Sequence, residues 1–505
     1  MKKASIIIMI LSILSKILGF VREAIMSRTL GSSALASAFV YAFSLPTTFF
    51  SVVIAAFATG FIPMFTRVED KHGSKVAMNF MNNTTNVMVL IGALFSLFIF
   101  IFTEAALSIL LPGAEAAQLV YLVPFLKVTC FTIIFTAIIQ LMTGFLHVRN
   151  SFLTVALLGF PLNIVIISVL FLYRNFGHDI LPYGILIAYG LQAVLILGYA
   201  HLKGYRFKPI INFKDPNLKT MLIIALPLII GSASSSIGTL FSQGIASSLD
   251  DGIAQLSYAQ KIGGMVEGIF GMAIITVMYP SLSKAIALKQ YDKAKHEFGE
   301  SFISELLLIL PASIGLMLLS KPVVQFVYFG GDFTMDDVNK LAPVLMTFAL
   351  GLLGYSLHNL IVRVFYSYQD MKTPMFVSIG IISVQIALGY VLFQFMSIPG
   401  ITLGMAVAFL LGAFVELVIL MKKRFVTFPV RKYLKQAIKI LIANGFMAVA
   451  IILCILFLKP ILSNTMFLLF TILTAIIVYF IVVLNLHIET VDELIHSFRR
   501  KVKGA

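Results

Sequence analysis

Arg22 and Glu23 stand side by side near the inner end of an otherwise apolar run, SIIIMILSILSKILGFVREAIMSRTLG. A charge at bilayer depth costs about 2.5 to 3.5 kcal/mol even on insertion scales, so such residues as a rule face a water-filled cavity and handle a polar cargo. The chemistry on offer is binding and release, which points to a transporter. Lys16, Lys127 and Lys261 also fall inside or at the edge of apolar runs. The groups needed for bond making are missing: there is no glycine loop followed by Lys and Ser/Thr, and no His-Glu-x-x-His. No loop has room for a soluble catalytic domain, and the acidic pairs Asp250/Asp251 and Asp336/Asp337 read as solvated turns in outer loops. Cys130 and Cys454 lie in apolar runs far from any paired spacing and read as buried small residues. The chain is therefore expected to be no enzyme and to hold no metal and no cofactor.

The elements that position these residues follow from composition. Of 505 residues, 60% are hydrophobic and 12% charged, and the mean hydropathy is +1.01, which excludes a soluble fold of ordinary surface. The reading is an all-α polytopic membrane protein. At about 20 apolar residues per helical span, fourteen spans are predicted: 4–27, 36–64, 78–103, 119–146, 152–173, 181–202, 218–244, 253–280, 300–319, 341–366, 374–396, 400–421, 436–458 and 463–486. Lys2 and Lys3 before an apolar run resemble a secretory leader, but Lys16, Arg22 and Glu23 interrupt that run, so it is expected to remain as the first span. With a cytoplasmic N-terminus, 28 of the 37 Lys and Arg fall in inner segments or at the inner ends of spans and 5 in outer loops, which supports both termini on the cytoplasmic side. The net charge of +15 is then topology and contact with anionic headgroups, not a nucleic-acid footprint.

Two internal echoes suggest duplication. The second and eighth spans both finish with Pro, two residues, Ser or Thr and a base, Pro63 to Arg67 and Pro280 to Lys284, an offset of 217. FLHVRNSFLTV, after span four, resembles FYSYQDMKTPM, after span ten, at a similar offset. Chance is the alternative, since inner loops are often rich in Pro and Lys. The expected organisation is an N-terminal lobe over 1–210, a C-terminal lobe over 211–425, and a pair of extra helices with a cytoplasmic tail over 426–505. Pro46, Pro161, Pro227 and Pro311 lie within spans and are expected to bend or break them.

Several blocks in register, SKILGFVREAIMSRTLG, SAFVYAFSLP, FIPMF, LSYAQKIGGMVEGIFGMAIITVMYPSLSK and VRVFYSYQDMKTP, resemble the lipid II flippase (MurJ/MviN) family of the multidrug/oligosaccharidyl-lipid/polysaccharide exporter superfamily. The resemblance implies two six-helix lobes around a central cationic cavity and two C-terminal helices lining a groove for a polyprenyl tail. It implies alternating access that moves undecaprenyl-diphosphate-linked peptidoglycan precursor from the inner to the outer leaflet. A flippase for another polyprenyl-linked glycan, or a cation-coupled drug exporter, is the alternative. The place would be the bacterial cytoplasmic membrane, the partners membrane lipids and the lipid-linked glycan diphosphate, and the working form a monomer near cell-wall synthesis proteins.

By position the resemblance carries substrate binding to Arg22 and Lys261, with Lys16 where the family often has arginine and Glu23 in place of a neighbouring aspartate. Two departures stand out: Ser37 replaces an acid and Phe50 a cavity arginine. A diphosphate presents dense negative charge that guanidinium and ammonium groups stabilise in a poorly hydrated cavity. Glu23 and Glu267 would hold the bases or offset their charge. Each assignment has a plainer reading: Arg22 as a structural pair with Glu23, Lys16 as a snorkelling side chain, and Glu267 as a helix–helix hydrogen bond. Asn163, with Gln140, Gln243 and Asn359, is a buried amide that binds sugar or glues helices. Lys127, His358 and Glu416 are intramembrane polar residues without an assignment.

Overall fold

In lipid no water is present to satisfy backbone N–H and C=O groups, so an apolar chain must pair them within each segment. The computed structural model, which describes residues 2–423 and 430–493, is accordingly helical, with no strand among those residues and one isolated bridge, Gly330 to Phe333. The helices run α1 (Lys2–Leu30), α2 (Ala34–His72), α3 (Ser74–Ile101), α4 (Thr103–Leu110), α5 (Ala116–Thr129), α6 (Thr132–Val148), α7 (Phe152–Leu157), α8 (Gly159–Phe176), α9 (Ile180–Leu202) and α10 (Pro216–Ala246). They continue with α11 (Gly252–Ile269), α12 (Gly271–Ala287), α13 (Tyr291–Leu318), α14 (Ser320–Tyr328), α15 (Met335–Ser367), α16 (Lys372–Met396), α17 (Ile398–Lys422), α18 (Val430–Phe457) and α19 (Asn464–Asn485).

Among the described residues ten helical segments are long and apolar enough to cross a membrane, and eleven if the bent pair α5–α6 counts as one. The predicted spans at 4–27, 36–64 and 218–244 fall on α1, α2 and α10, whose side chains are described only in part. Large apolar side chains stand exposed along the helices, Phe395, Phe414, Val194 and Leu473 among them, as a lipid-facing surface requires.

Contacts divide the chain into two units, residues 1–254 with 330–333, and residues 255–329 with 334–505. In the first, α2 packs against α3, α5, α6 and α10, while α8 lies between α1 and α9. The turn Gly330–Phe333 belongs to this unit: Asp332 N donates to Arg28 O at 2.8 Å, and Arg174 Nη2 reaches both Asp332 carboxylate oxygens at 2.9 Å. In the second, α15 packs on α13 and α17, α16 on α17, and α18 on α13 and α19. Small residues set the closest approaches, as is usual where lipid supplies no hydrophobic drive. A methyl added at Gly351 would lie 2.7 Å from Ala406 Cα, and one at Gly404 would lie 2.6 Å from Gly389 N. The α18–α19 pair is joined to α13 by a buried layer including Ile303, Leu307, Ile440, Met447, Ile451 and Phe467.

Of the prolines expected to bend or break a span, Pro161 falls at a break, where its missing donor would have bonded Leu157 O, whereas Pro46 and Pro311 do not interrupt their helices. Helix α2 continues through Pro46 and Pro63, and α13 through Pro311, while Pro161 sits in the first turn of α8 after a break at Leu158. A bend of 45° between α5 and α6 falls at Cys130 and Phe131. There the Ser96 hydroxyl of α3 donates to Cys130 O at 2.8 Å and Thr132 Oγ1 to Thr129 O at 2.6 Å. Side chains inserted into the backbone ladder kink a helix as effectively as a missing donor does. Cys130 and Cys454 are both free and buried. Asp337 is not a solvated turn: its carboxylate accepts from Thr334 N at 2.7 Å in a capping box that starts α15, and it is buried.

The second sequence echo has a structural counterpart. Asn150 and Gln369, 219 residues apart, are both left-handed, with φ of 55° and 60°. The next residue in each case bonds five residues back, Ser151 N to Leu146 O at 2.8 Å and Asp370 N to Phe365 O at 3.0 Å. In both loops that residue's side chain also meets the threonine three positions on, Ser151 Oγ with Thr154 at 3.2 Å and Asp370 Oδ2 with Thr373 at 2.7 Å.

Candidate functional site

Helix α1 carries three of the candidate residues of the first unit, Lys16, Arg22 and Glu23. Arg22 and Glu23 are 8% and 5% exposed, and Arg22 Nη2 donates to Glu23 Oε1 at 2.5 Å. The guanidinium also lies over the Phe43 ring of α2, 4.9 Å from its centroid. Adjacent residues on a helix point about 100° apart, so the two long side chains meet by folding toward one another in the wedge that Phe43 closes. A buried pair of this kind survives because each charge has a partner and loses much if one is removed. Lys16, on the same helix, is exposed. Asn163 of α8 is buried beside α1: its atoms lie 3.8 Å from where a Gly19 Cβ would stand. Its Nδ2 donates to Gly159 O at 2.8 Å, while Oδ1 is buried with no hydrogen-bond partner among the described residues.

Ser37 has a clear local role. Its buried hydroxyl accepts from Ala254 N at 3.2 Å, which satisfies one of the donors that the first turn of α11 leaves without an intrahelical partner. A neutral hydroxyl suffices for that bond. The Phe50 side chain lies outside the described residues.

In the second unit Lys261 of α11 is exposed, and Glu267 of the same helix is half-buried and accepts from Asn359 Nδ2 of α15 at 3.3 Å. Sequence reasoning passed over Glu305 of α13, which is fully buried and accepts from Ser356 Oγ at 2.5 Å. The signal was present as a carboxylate inside the apolar run FISELLLIL. His358 and Glu416, unassigned from sequence, meet across α15 and α17, Nδ1 to Oε2 at 3.0 Å. Thus α15 presents Tyr355, Ser356, His358 and Asn359 within two turns, and three carboxylates approach that stretch from neighbouring helices. In the first unit, Arg149 clamps Glu69 through two bonds of 3.1 and 2.6 Å at the end of α6, between the Phe65 and Phe145 rings. The structure therefore brings together Arg22 with Glu23 and Glu267 with Asn359, and describes Lys261 within the second unit.

At the far end of α15, Asp370 starts α16 by accepting from Thr373 N at 3.1 Å and is paired with Lys423 Nζ at 2.6 Å. Burial pushes its carboxyl up, but the bonds from Lys423 and Thr373 together outweigh burial and hold it below the ordinary value.

A bundle of membrane-length helices with charged groups buried inside its apolar segments defines a multi-pass membrane protein of the carrier type. Residues 26–474 match the family model described as "Lipid II flippase MurJ". The chain is 31% identical over 430 residues to a probable lipid II flippase MurJ of Rhizobium tropici, a match covering 81% of this chain and 79% of that protein. It is 28% identical over 500 residues to a probable lipid II flippase MurJ of Thermotoga maritima, covering 95% and 96%. Its fold resembles a solved lipid II flippase MurJ in an inward closed conformation, with a TM-score of 0.81 at 22% identity over 94% of this chain and 98% of the other. It also resembles an inward-facing multidrug resistance MATE family transporter of the MOP superfamily, with a TM-score of 0.71 at 15% identity over 81% and 94%. These structural likenesses speak for the fold. The chain belongs to the lipid II flippase MurJ family, a family of translocators rather than catalysts.

Proposed function

We propose that this chain is a lipid II flippase, moving undecaprenyl-diphosphate-linked peptidoglycan precursor from the inner to the outer leaflet by alternating access. Family membership supports the substrate, and the observation that carries the mechanism is the buried Arg22–Glu23 pair inside an apolar helix. A guanidinium held under an aromatic ring by one carboxylate has further N–H donors and is already out of water, so it can take a diphosphate oxygen beside that partner with little added desolvation of its own. Lys261 is the proposed second cation, with Lys16 and Asn163 as further contacts and Glu23 and Glu267 as counter-charges. Transport of this kind calls for no covalent chemistry by the chain itself and no cofactor.

The length of the apolar runs supports fourteen spans, the distribution of Lys and Arg supports both termini in the cytoplasm, and family membership supports residence in the bacterial inner membrane. The lobes are assigned to 1–210 and 211–425 from the sequence echoes. Residues 426–505 form the third part, where the exposed apolar residues of α18 and α19, such as Leu441, Phe446 and Leu453, suit a polyprenyl tail. The working unit is a monomer near cell-wall synthesis proteins. Depletion of the protein from its own cells, with lipid-linked precursors measured leaflet by leaflet, tests the reading. Lipid II trapped in the inner leaflet is expected; normal wall synthesis with loss of a different surface polymer would overturn it.

A further inference from the structure

We propose that Glu305 is an intramembrane proton-binding site of the second unit, neutral in the structure described here and reached by way of Glu267. The inference stands apart from the identity of the lipid substrate and rests on how this one side chain is satisfied. Glu305 has no exposed surface. Among the described residues its Oε2 accepts one hydrogen bond, from Ser356 Oγ at 2.5 Å, and Oε1 is buried with no hydrogen-bond partner. No Lys, Arg or His forms an ion pair with it among the described residues.

An ionised carboxylate offers about four acceptor sites and loses its hydration on burial, so one donor leaves it far from compensated. A second carboxylate, Glu267, is close by: it accepts from Asn359, one turn after Ser356 on α15, and its Oε1 and Ser356 Oγ flank the same point above Gly271. A neutral acid fits the observed contacts: Oε2 is the carbonyl oxygen that takes the Ser356 bond, and Oε1 carries the proton. The fold keeps this arrangement open, since a methyl at Gly271 would come within 2.5 Å of Ser356 Oγ.

The titratable groups on the surrounding helices are engaged elsewhere. On α15, Tyr355 is an electrostatic neighbour of Glu267, and His358 is paired with Glu416 of α17. From α19, Tyr479 donates to Leu307 O at 2.9 Å. On α18, Tyr433 stands against Gly299, and Lys432 pairs with Glu489 at 2.6 Å. On α12, Tyr279 lies under Arg363, and on α14, Tyr328 donates to Tyr258 O at 3.0 Å. A route outward is present in Glu267 and Asn359, both half-buried, and in the exposed Tyr355. Loss of the proton puts a second negative charge beside Glu267, so the site is unstable when empty unless the surrounding helices move or water enters. That coupling of proton occupancy to helix position is the function we assign.

Infrared difference spectroscopy on the full chain in lipid vesicles tests it, because a protonated carboxyl in an apolar site has a carbonyl band distinct from those of carboxylates and amides. At neutral pH the wild type is expected to show this band and Glu305→Gln to lose it. Ser356→Ala, which removes the hydrogen bond to Oε2, is expected to keep the band and shift it to higher frequency, which assigns the band even where Glu305→Gln fails to fold. Absence of the band in the wild type, or a band that neither substitution alters, would overturn the proposal. So would a band that is absent in sodium buffer and appears when sodium is replaced by a bulky organic cation, which would make the site one for a metal cation.

Discussion

The pairing of Arg22 with Glu23 sets up a test in which two substitutions at adjacent positions move binding in opposite directions. If the guanidinium takes a diphosphate oxygen, Arg22→Ala removes at least one charge-assisted hydrogen bond, which contributes about 1.5 to 3 kcal/mol. At about 1.4 kcal/mol per tenfold, affinity for undecaprenyl diphosphate falls about 10- to 150-fold. Glu23→Gln does the reverse. It leaves a guanidinium that is 8% exposed without its 2.5 Å partner; breaking a buried pair from one side costs about 3 to 5 kcal/mol. The empty variant is therefore less stable than the wild type, and a bound diphosphate returns part of that loss, so its ligand-induced thermal stabilisation exceeds the wild type's. The assay is thermal unfolding in detergent across a titration of undecaprenyl diphosphate, with wild type, both single variants and the double variant. Binding by Arg22→Ala within twofold of wild type would refute the reasoning. Equal loss of ligand stabilisation in both single variants would do so too, because the pair would then act only as a packing unit with Phe43.

Two further outcomes are expected. Moving one charge through 100 mV is worth about 2.3 kcal/mol, so outward transfer of about two net negative charges from a negative interior gains roughly 4 to 5 kcal/mol; flipping in proteoliposomes should rise with an imposed inside-negative potential, and a voltage-independent rate would exclude the potential as the drive. The Asp370 carboxyl is held below its ordinary value of 3.8, so it contributes stability above that pH and loses it as pH falls through the lower folded value; the stability difference between wild type and Asp370→Asn, followed by thermal unfolding on acidification, should vanish only below about pH 4.

Much of the architecture was legible because membrane insertion is governed by local composition. A run of apolar residues long enough to span has few alternatives to a helix, and each predicted segment falls on helical structure. Breaks were not legible in the same way. The prolines at 46, 63 and 311 are absorbed within continuous helices, whereas the 45° bend is made where Ser96, a residue of another helix, bonds Cys130 O. The loops FLHVRNSFLTV and FYSYQDMKTPM share a left-handed residue followed by a five-back bond, but the same cap ends α9 at Gly204 and α12 at Lys289, so that geometry alone does not mark a repeat.

The candidate site divides along the same line. Sequence determined that this is a multi-pass helical carrier of the lipid II flippase family and that Arg22 and Glu23 are charged groups at membrane depth, because charge and hydropathy are properties of residues. Only the tertiary structure decided which charges have partners. It set Arg22 under Phe43, gave Ser37 to the first turn of α11, paired His358 with Glu416, and left one oxygen of Glu305 with nothing to bond. Those outcomes depend on which helix faces which, a long-range packing result that no local window of sequence contains.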